Sequence, residues 1–453
     1  MKRQSNRRDF LKQTGLAGLG FWVAGGVFAA PRKSPNEKLS FACIGVGGKG
    51  ESDTEQAGHF GNIVALCDCD DRPLDEKAKN FPKAKKYHDF RKMLEEMDKS
   101  IDAVTVSTPD HTHAAASIMA MKMGKHVYCQ KPLTHDAHEA RMIREVAAKS
   151  KVATQMGNQG TAHDGIRRAI EYVQAGVIGP VKEVHVWTNR PTGFWKQAPE
   201  VTTRPRETPP IPSHVHWDLF LGPAPERPYN PIYHPFHWRG WRDFGTGALG
   251  DMACHTANMA FLALKLGLPT GVSAEHSEVN PETYQAWATI TYEFAARGEL
   301  PPVKLTWWEG TKDGKRNLPP EDLLKGQKPS TSGSLLIGEK GTLYSPNDYG
   351  AEFTLLPAKD FEGVKDPPRK LPRLGGGDED LHQKMEWVRA IQNGTQPTSN
   401  FAYASVLTEA MLLGNVAVMV GKKIHYDGET GQVTNAPEAA QYLQREYRKG
   451  WTL

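Results

Sequence analysis

Three sets of residues in this sequence have types and spacings that chemistry can use. Gly45, Gly47 and Gly50, with Gly48 among them, form a G-x-G-x-x-G turn at the end of the apolar run Leu39 to Val46. The first glycine permits the tight turn, and the second lets the main chain approach a pyrophosphate. The third lets the next helix pack on the strand, so that its N-terminus faces the phosphates. Asp68 ends the following apolar run. A carboxylate there accepts hydrogen bonds from ribose hydroxyls, which favours NAD, while nearby Arg72 keeps NADP open. Asp251 and His255 are four residues apart, on one face of an expected helix and able to meet the same molecule. Histidine is the natural base near neutral pH, and Lys131, in Cys129-Gln130-Lys131-Pro132, can stabilise charge developing on an oxygen.

The elements that must position these residues alternate in type up to about residue 160. Short apolar runs at Leu39 to Val46, Ile63 to Cys67, Ile101 to Ser107, His126 to Cys129 and Val152 to Met156 predict strands. Helical patterns lie between them, such as Ala137 to Ala148, and the alternation predicts a parallel, doubly wound sheet over 39–160. From about 180 strand-like segments follow one another: Val181 to Thr188, Val272 to Ser277, Gln285 to Phe294, Val303 to Trp308, Ser334 to Ile337 and Glu352 to Leu356. With helices at Met252 to Leu264, Asp380 to Gln392 and Ala402 to Val420, residues 161–453 read as an α+β domain with a large, mainly antiparallel open sheet. A homo-oligomer formed through that open sheet is the expected assembly.

Beyond the glycine turn, three segments carry a family resemblance. QKP at Gln130 to Pro132 resembles the Glu-Lys-Pro signature of the glucose–fructose oxidoreductase, inositol dehydrogenase and MocA (Gfo/Idh/MocA) family. Val104 to His113 resembles that family's Thr-Pro-Asn/Asp-x-x-His segment, and Gly247 to His255 its Asp-x-x-x-His motif. The resemblance implies an NAD(P)-dependent oxidoreductase acting on a sugar or sugar derivative at a CH-OH carbon. It implies catalytic roles for Lys131 and His255, with Asp251 orienting the substrate. It also places Ser107, Thr108, Pro109, His113, Gln130 and Lys131 beside the cofactor. The alternative within the family is a glycosidase that oxidises, eliminates and reduces back with no net redox change. Gln130 departs from the family's Glu, and this leaves open which of Lys131 and His255 transfers the proton.

A loop-rich stretch from Thr192 to Phe244 is dense in Pro, His and Trp. Trp238, Arg239, Trp241 and His237 are the candidate sugar-binding residues there, aromatic faces beside polar donors, with packing of the domain core as the rival reading. Asn158 follows the fifth strand and is a further candidate. No histidine pair has the zinc-protease spacing, so no catalytic metal is expected. A metal-dependent hydrolase and a non-catalytic sugar-binding protein are the remaining, weaker readings.

The first thirty residues read as an address. Arg7-Arg8-Asp9-Phe10-Leu11-Lys12 matches a twin-arginine export signal, followed by an uncharged stretch to Ala29-Ala30. The expected organisation is a signal over 1–30 and a linker over 31–38. The partner is then the twin-arginine export machinery, and the destination the periplasm. Lys2, Arg3, Arg7, Arg8 and Lys12 against Asp9 account for the whole net charge of +4, so the remainder is neutral and nucleic acid is not an expected partner. The five cysteines are odd in number and lack CxxC spacing, against a disulfide framework.

Overall fold

The computed structural model describes residues 38–195 and 203–453. The expected export signal, and the linker up to residue 37, lie outside them. The first sheet comprises β1 (Leu39–Ile44), β2 (Gly61–Cys67), β3 (Lys85–Tyr87), β4 (Ala103–Val106), β5 (His126–Gln130) and β6 (Thr154–Gly157), with helices α1 (Lys49–Phe60), α2 (Asp71–Asn80), α3 (Phe90–Glu96), α4 (His113–Lys122) and α5 (Ala137–Lys149). All its pairings are parallel, in the order β3-β2-β1-β4-β5-β6. The order reverses between β1 and β4, and ligands bind at such a switch point, beyond the strands' carboxyl ends. Phe41, Ala42, Cys43 and Ile44 are buried, as a strand covered on both faces requires.

The second part holds α6 (Asp164–Gln174), β7 (Val181–Trp187), α7 (Trp217–Leu221), α8 (Gly247–Thr256), α9 (Asn258–Leu264), β8 (Gly271–His276), β9 (Trp287–Phe294), β10 (Val303–Lys312), β11 (Lys315–Arg316), β12 (Gly333–Gly338), β13 (Thr342–Ser345) and β14 (Thr354–Leu356). It continues with α10 (Glu379–Asn393), α11 (Phe401–Val420), β15 (Ile424–Asp427), β16 (Gln432–Val433) and α12 (Ala440–Leu443). Its sheet runs β14-β13-β12-β7-β10-β9-β8-β15-β16, with β11 on β10. It is mixed, because β7 and β10 are parallel while the other pairs are antiparallel.

Two departures from the sequence reading bear on the site. The helix expected over Met252 to Leu264 is two helices, and the first runs from Gly247 to Thr256, so Asp251 sits mid-helix and His255 in its last turn. Gly247 and Gly250 hid that start. A Cβ on Gly250 would lie 2.2 Å from the Thr246 hydroxyl oxygen, and one on Gly247 2.6 Å from the Tyr284 ring. The last two long helices return to the first sheet: α10 packs on α1 and β6, and α11 on α5. Trp387 of α10 is buried against the rings of Phe41 and Tyr128. All five cysteines are free, with Cys43, Cys67 and Cys129 buried in strands as expected.

Candidate active site

A cleft of about 850 Å³ opens at the switch point. Its floor is the glycine turn. Gly45 and Gly48 have φ of 76° and 55°, which only glycine adopts freely. A Cβ on Gly50 would sit 1.9 Å from the Gly45 carbonyl, whereas one on Gly48 would meet nothing, so that edge of the turn stays open to a ligand. Gly50 thus lies beneath the turn and closes the helix onto the strand, while Gly45, Gly47 and Gly48 line the cleft.

Asp68 also lines it, and is tied to the turn. One carboxylate oxygen accepts from the N–H of Val46 at 2.8 Å and of Gly47 at 3.3 Å, the other from Asp70 N–H at 3.0 Å. Burial raises its pKa, opposed by these bonds. A carboxylate offers about four lone-pair sites, so one remains for a ribose hydroxyl. Ser107, Thr108 and Pro109 line the cleft beside the glycine turn. His113 does not face the cleft; its buried ring bridges Pro132 O at 2.7 Å and Thr108 O at 2.8 Å and fixes both cleft segments. This corrects its assignment as a cofactor contact.

Farther along, Lys131 Nζ lies 2.6 Å from Asp251 Oδ1, with Arg239 Nε 3.6 Å from the same oxygen. Burial alone would raise the Asp251 pKa, but Lys131 and then Arg239 hold it at about 2. His255 is buried one helical turn on, and its pKa is pushed to about 3 by burial, with Lys131 adding to the effect. Its Nδ1 has no partner among the described residues, and its ring meets the Tyr349 ring edge-on at 5.0 Å. The residue as a whole lines the cleft, and a buried ring nitrogen without a partner there marks a polar group still to be satisfied.

The structure explains Gln130. Its amide donates to Asp53 Oδ2 at 2.8 Å, and the Ser107 hydroxyl donates to the same oxygen at 2.7 Å. Asp53, on α1, is fully buried and pairs with Lys384 of α10 at 2.7 Å and Lys49 at 3.1 Å. A glutamate at 130 would set two carboxylates against each other. The counter-charge expected beside Lys131 is supplied by Asp251 instead.

Trp238 and Arg239 line the cleft, Arg239 stacking over the Trp238 ring at 4.2 Å. Three expected sugar contacts do not. Trp241 is fully buried in an aromatic core with Trp217, Phe220, Tyr233 and Phe244. Asn158 is fully buried, donating to Cys254 O at 3.1 Å and accepting from Ser399 at 2.6 Å, so it holds β6 to α8. His237 lies outside the lining. The sequence reading missed Asp110, Lys49, Arg190, Trp195, Asp348 and Tyr349, all lining residues. Asp110 stood inside the Thr-Pro-Asp segment and Lys49 inside the glycine turn, but the others carry no local signal. Beside Asp68, one group of possible metal ligands converges, Asp71, His88 and His216, with their ligand atoms within 4.8 Å of one another.

A glycine turn at the switch point of a parallel sheet, opening on a lysine, a carboxylate and a histidine, defines an enzyme that works with a dinucleotide. Comparison with known families agrees. Residues 39–158 match the NAD-binding Rossmann fold of an oxidoreductase family and residues 160–300 its C-terminal α/β domain, so the chain belongs to the Gfo/Idh/MocA family. It is 24% identical over 186 residues to levoglucosan dehydrogenase of Pseudarthrobacter phenanthrenivorans, covering 41% of this chain and 38% of that protein. It is 28% identical over 202 residues to a glycosyl hydrolase family 109 protein of Shewanella pealeana, covering 38% and 44% respectively. These matches span about two fifths of each relative. Among solved structures, levoglucosan dehydrogenase in complex with NADH superposes with a TM-score of 0.59 at 16% identity, covering 86% of this chain and 99% of that one. Aldose–aldose oxidoreductase from Caulobacter crescentus, complexed with glycerol, gives 0.59 at 15% identity, covering 86% and 100%. At such identities the likeness is one of fold.

Proposed function

We propose that this protein is an exported, NAD-dependent oxidoreductase acting on a CH-OH carbon of a sugar or sugar derivative. The observation that carries this is the Lys131–Asp251 ion pair beside His255, in the same cleft as the glycine turn. Gly45, Gly47 and Gly48 would hold the pyrophosphate, Asp68 a ribose, and Ser107 to Pro109 the far end of the cofactor. Bound NAD supplies the acceptor for the hydride. The chain's own residues do the rest: the Lys131 ammonium, held by Asp251, donates to the reacting oxygen and stabilises charge developing there. Neutral His255 hydrogen-bonds a neighbouring hydroxyl, and the Trp238 ring with Arg239 packs against the sugar. The test is reduction of NAD by a panel of free sugars; NAD-loaded, folded protein that oxidises none of them removes this reading.

A second reading has specific support: oxidation, elimination of a glycosidic bond and re-reduction, with no net redox change. The family 109 glycosyl hydrolases among the relatives support it, and so does the exported destination proposed from Arg7-Arg8. A protein exported folded can carry NAD loaded in the cytoplasm. With no free pool outside, that NAD must stay bound for hours, within the slow part of the millisecond-to-day range of residence times. NAD(H) is therefore expected to co-purify with the protein, and Arg7→Lys with Arg8→Lys to leave it in the cytoplasm. Cofactor content after dialysis and cell fractionation check these. An empty protein, or a double variant still exported, contradicts them.

Asp68 sets the choice of nucleotide. A 2′-phosphate would bring like charge against its carboxylate, so NAD should bind at least about tenfold more tightly than NADP. Asp68→Asn should narrow that gap. Titration of the cofactor-free protein with both nucleotides decides, and equal affinities for the unaltered protein refute the role.

A further inference from the structure

Among the described residues five large apolar side chains are exposed, and three of the five line the cleft: Phe194 at 40%, Phe236 at 46% and Tyr349 at 37%. Single exposed rings are ordinary, but aromatic rings gathered at one opening mark a place that something else covers. They come from three separate segments. Phe194 follows β7, Phe236 precedes the 3₁₀ turn His237–Gly240, and Tyr349 lies between β13 and β14.

Two of the rings touch groups at the reaction end. The Arg239 guanidinium lies 4.8 Å from the Phe236 ring centre, and its Nε is 3.6 Å from the Asp251 oxygen that pairs with Lys131. The Tyr349 ring meets His255 edge-on at 5.0 Å. Its seat is built: a Cβ on Gly160 would lie 2.7 Å from Tyr349 Cβ, and Gln159 Nε2 donates to the Tyr349 hydroxyl at 3.2 Å. The third ring, Phe194, has the Arg190 guanidinium 3.4 Å from its centre. A guanidinium against a ring fixes its orientation, and both phenylalanines stay exposed with the arginines in place. The cleft therefore has two zones. Asp251 and His255 are buried beside Lys131, and the three rings face solvent next to them.

We infer that Phe194, Phe236 and Tyr349 form a subsite for a second ring, so that the preferred substrate is a glycoside and not a free sugar. On the oxidoreductase reading, on which this rests, the sugar that reacts fills the polar zone at Lys131 and His255. The group across its glycosidic bond then lays an apolar face on the three rings. An aryl aglycone and a second sugar both offer such a face. A free sugar or a methyl glycoside reaches Lys131 but leaves the rings bare, and so binds more weakly.

The test is calorimetry on the NAD-loaded protein with the methyl glycoside, the benzyl glycoside and a disaccharide of the gluco, galacto and manno series. Methanol and benzyl alcohol are of like acidity, so that pair differs in the ring and not in leaving ability. In at least one series the benzyl compound or the disaccharide should bind about tenfold more tightly than the methyl glycoside, or better. A gain with benzyl alone identifies an aryl aglycone, and a gain with the disaccharide a second sugar. Phe236→Leu and Phe194→Leu keep apolar bulk and remove the aromatic face, and each should lower that ratio about threefold or more. Equal binding of methyl and ring-bearing compounds, or a ratio that neither variant changes, overturns the inference. Ring preference with no NAD reduction and no aglycone release leaves the subsite standing and removes the oxidoreductase reading. NAD reduction without ring preference does the reverse, and binding of none of the compounds overturns both.

Discussion

Replacing Lys131 with methionine should lower turnover about 10³-fold and leave the bound NAD in place. In the proposed reaction Lys131 is the donor to the oxygen on which charge develops. Arg239 stands 3.6 Å from Asp251 on the other side, stacked over Trp238. Methionine keeps much of the stem's volume and removes only the ammonium. Two neighbouring groups should respond. Asp251, held at about 2 by Lys131 ahead of Arg239, should titrate higher, and His255 should rise from about 3 because the charge that depresses it beyond burial is gone. The check is steady-state kcat beside cofactor content, with the His255 resonance followed against pH. A loss of less than about tenfold would mean that the lysine only pairs with Asp251.

Asp53→Ala should destabilise the fold by about 3–5 kcal/mol, the usual cost of removing one partner from a buried ion pair. Lys384 is 1% exposed and would keep Gln56, at 2.8 Å, the Tyr128 ring face, at 4.5 Å, and a longer ion pair with Asp380, at 3.8 Å, in place of the short one with Asp53. Ser107 and Gln130 would each lose an acceptor. Their loss would loosen the join between the glycine turn and the segment bearing Lys131. The double variant Asp53→Ala with Lys384→Met should recover much of the loss, because no charge is then stranded. The pH dependence has a definite sign. Asp53 titrates at about 2 in the fold, where Lys384 and Lys49 overcome burial, against an ordinary value near ~4. Its stabilisation is complete above about pH 4 and is lost as pH falls through about 2. Urea melts of both proteins at neutral and acid pH measure this; a neutral-pH difference under about 1 kcal/mol would contradict it.

The reach of the sequence depended on how local each signal was. The glycine turn, Asp68 and the short apolar strands are local, and all stand where expected. Asp251 and His255 were legible through their spacing even though the glycines hid the start of their helix. β3 was not legible, because Lys85-Lys86-Tyr87 is a polar edge strand with no buried face to pattern it. Trp238 and Trp241 look alike in the sequence, yet one lines the cleft and the other fills a core. The difference is which side of a short 3₁₀ turn each leaves. Asn158 looked like a cleft residue because it is polar, but its bonds run to Cys254 and Ser399, which no local pattern connects to it. The Asp53–Gln130–Lys384 group was out of reach for the same reason. Its members lie on α1, β5 and α10, and only the return of α10 to the first sheet joins them.

The most direct test is to offer the NAD-loaded protein a panel of sugars and glycosides, following the absorbance of reduced nicotinamide and the release of aglycone together. The account predicts one of the two signals from the unaltered protein and neither from Lys131→Met, which still binds the same compound by calorimetry. A compound that binds in the cleft of the active, loaded protein and yields neither signal, or Lys131→Met matching the unaltered protein, would contradict it.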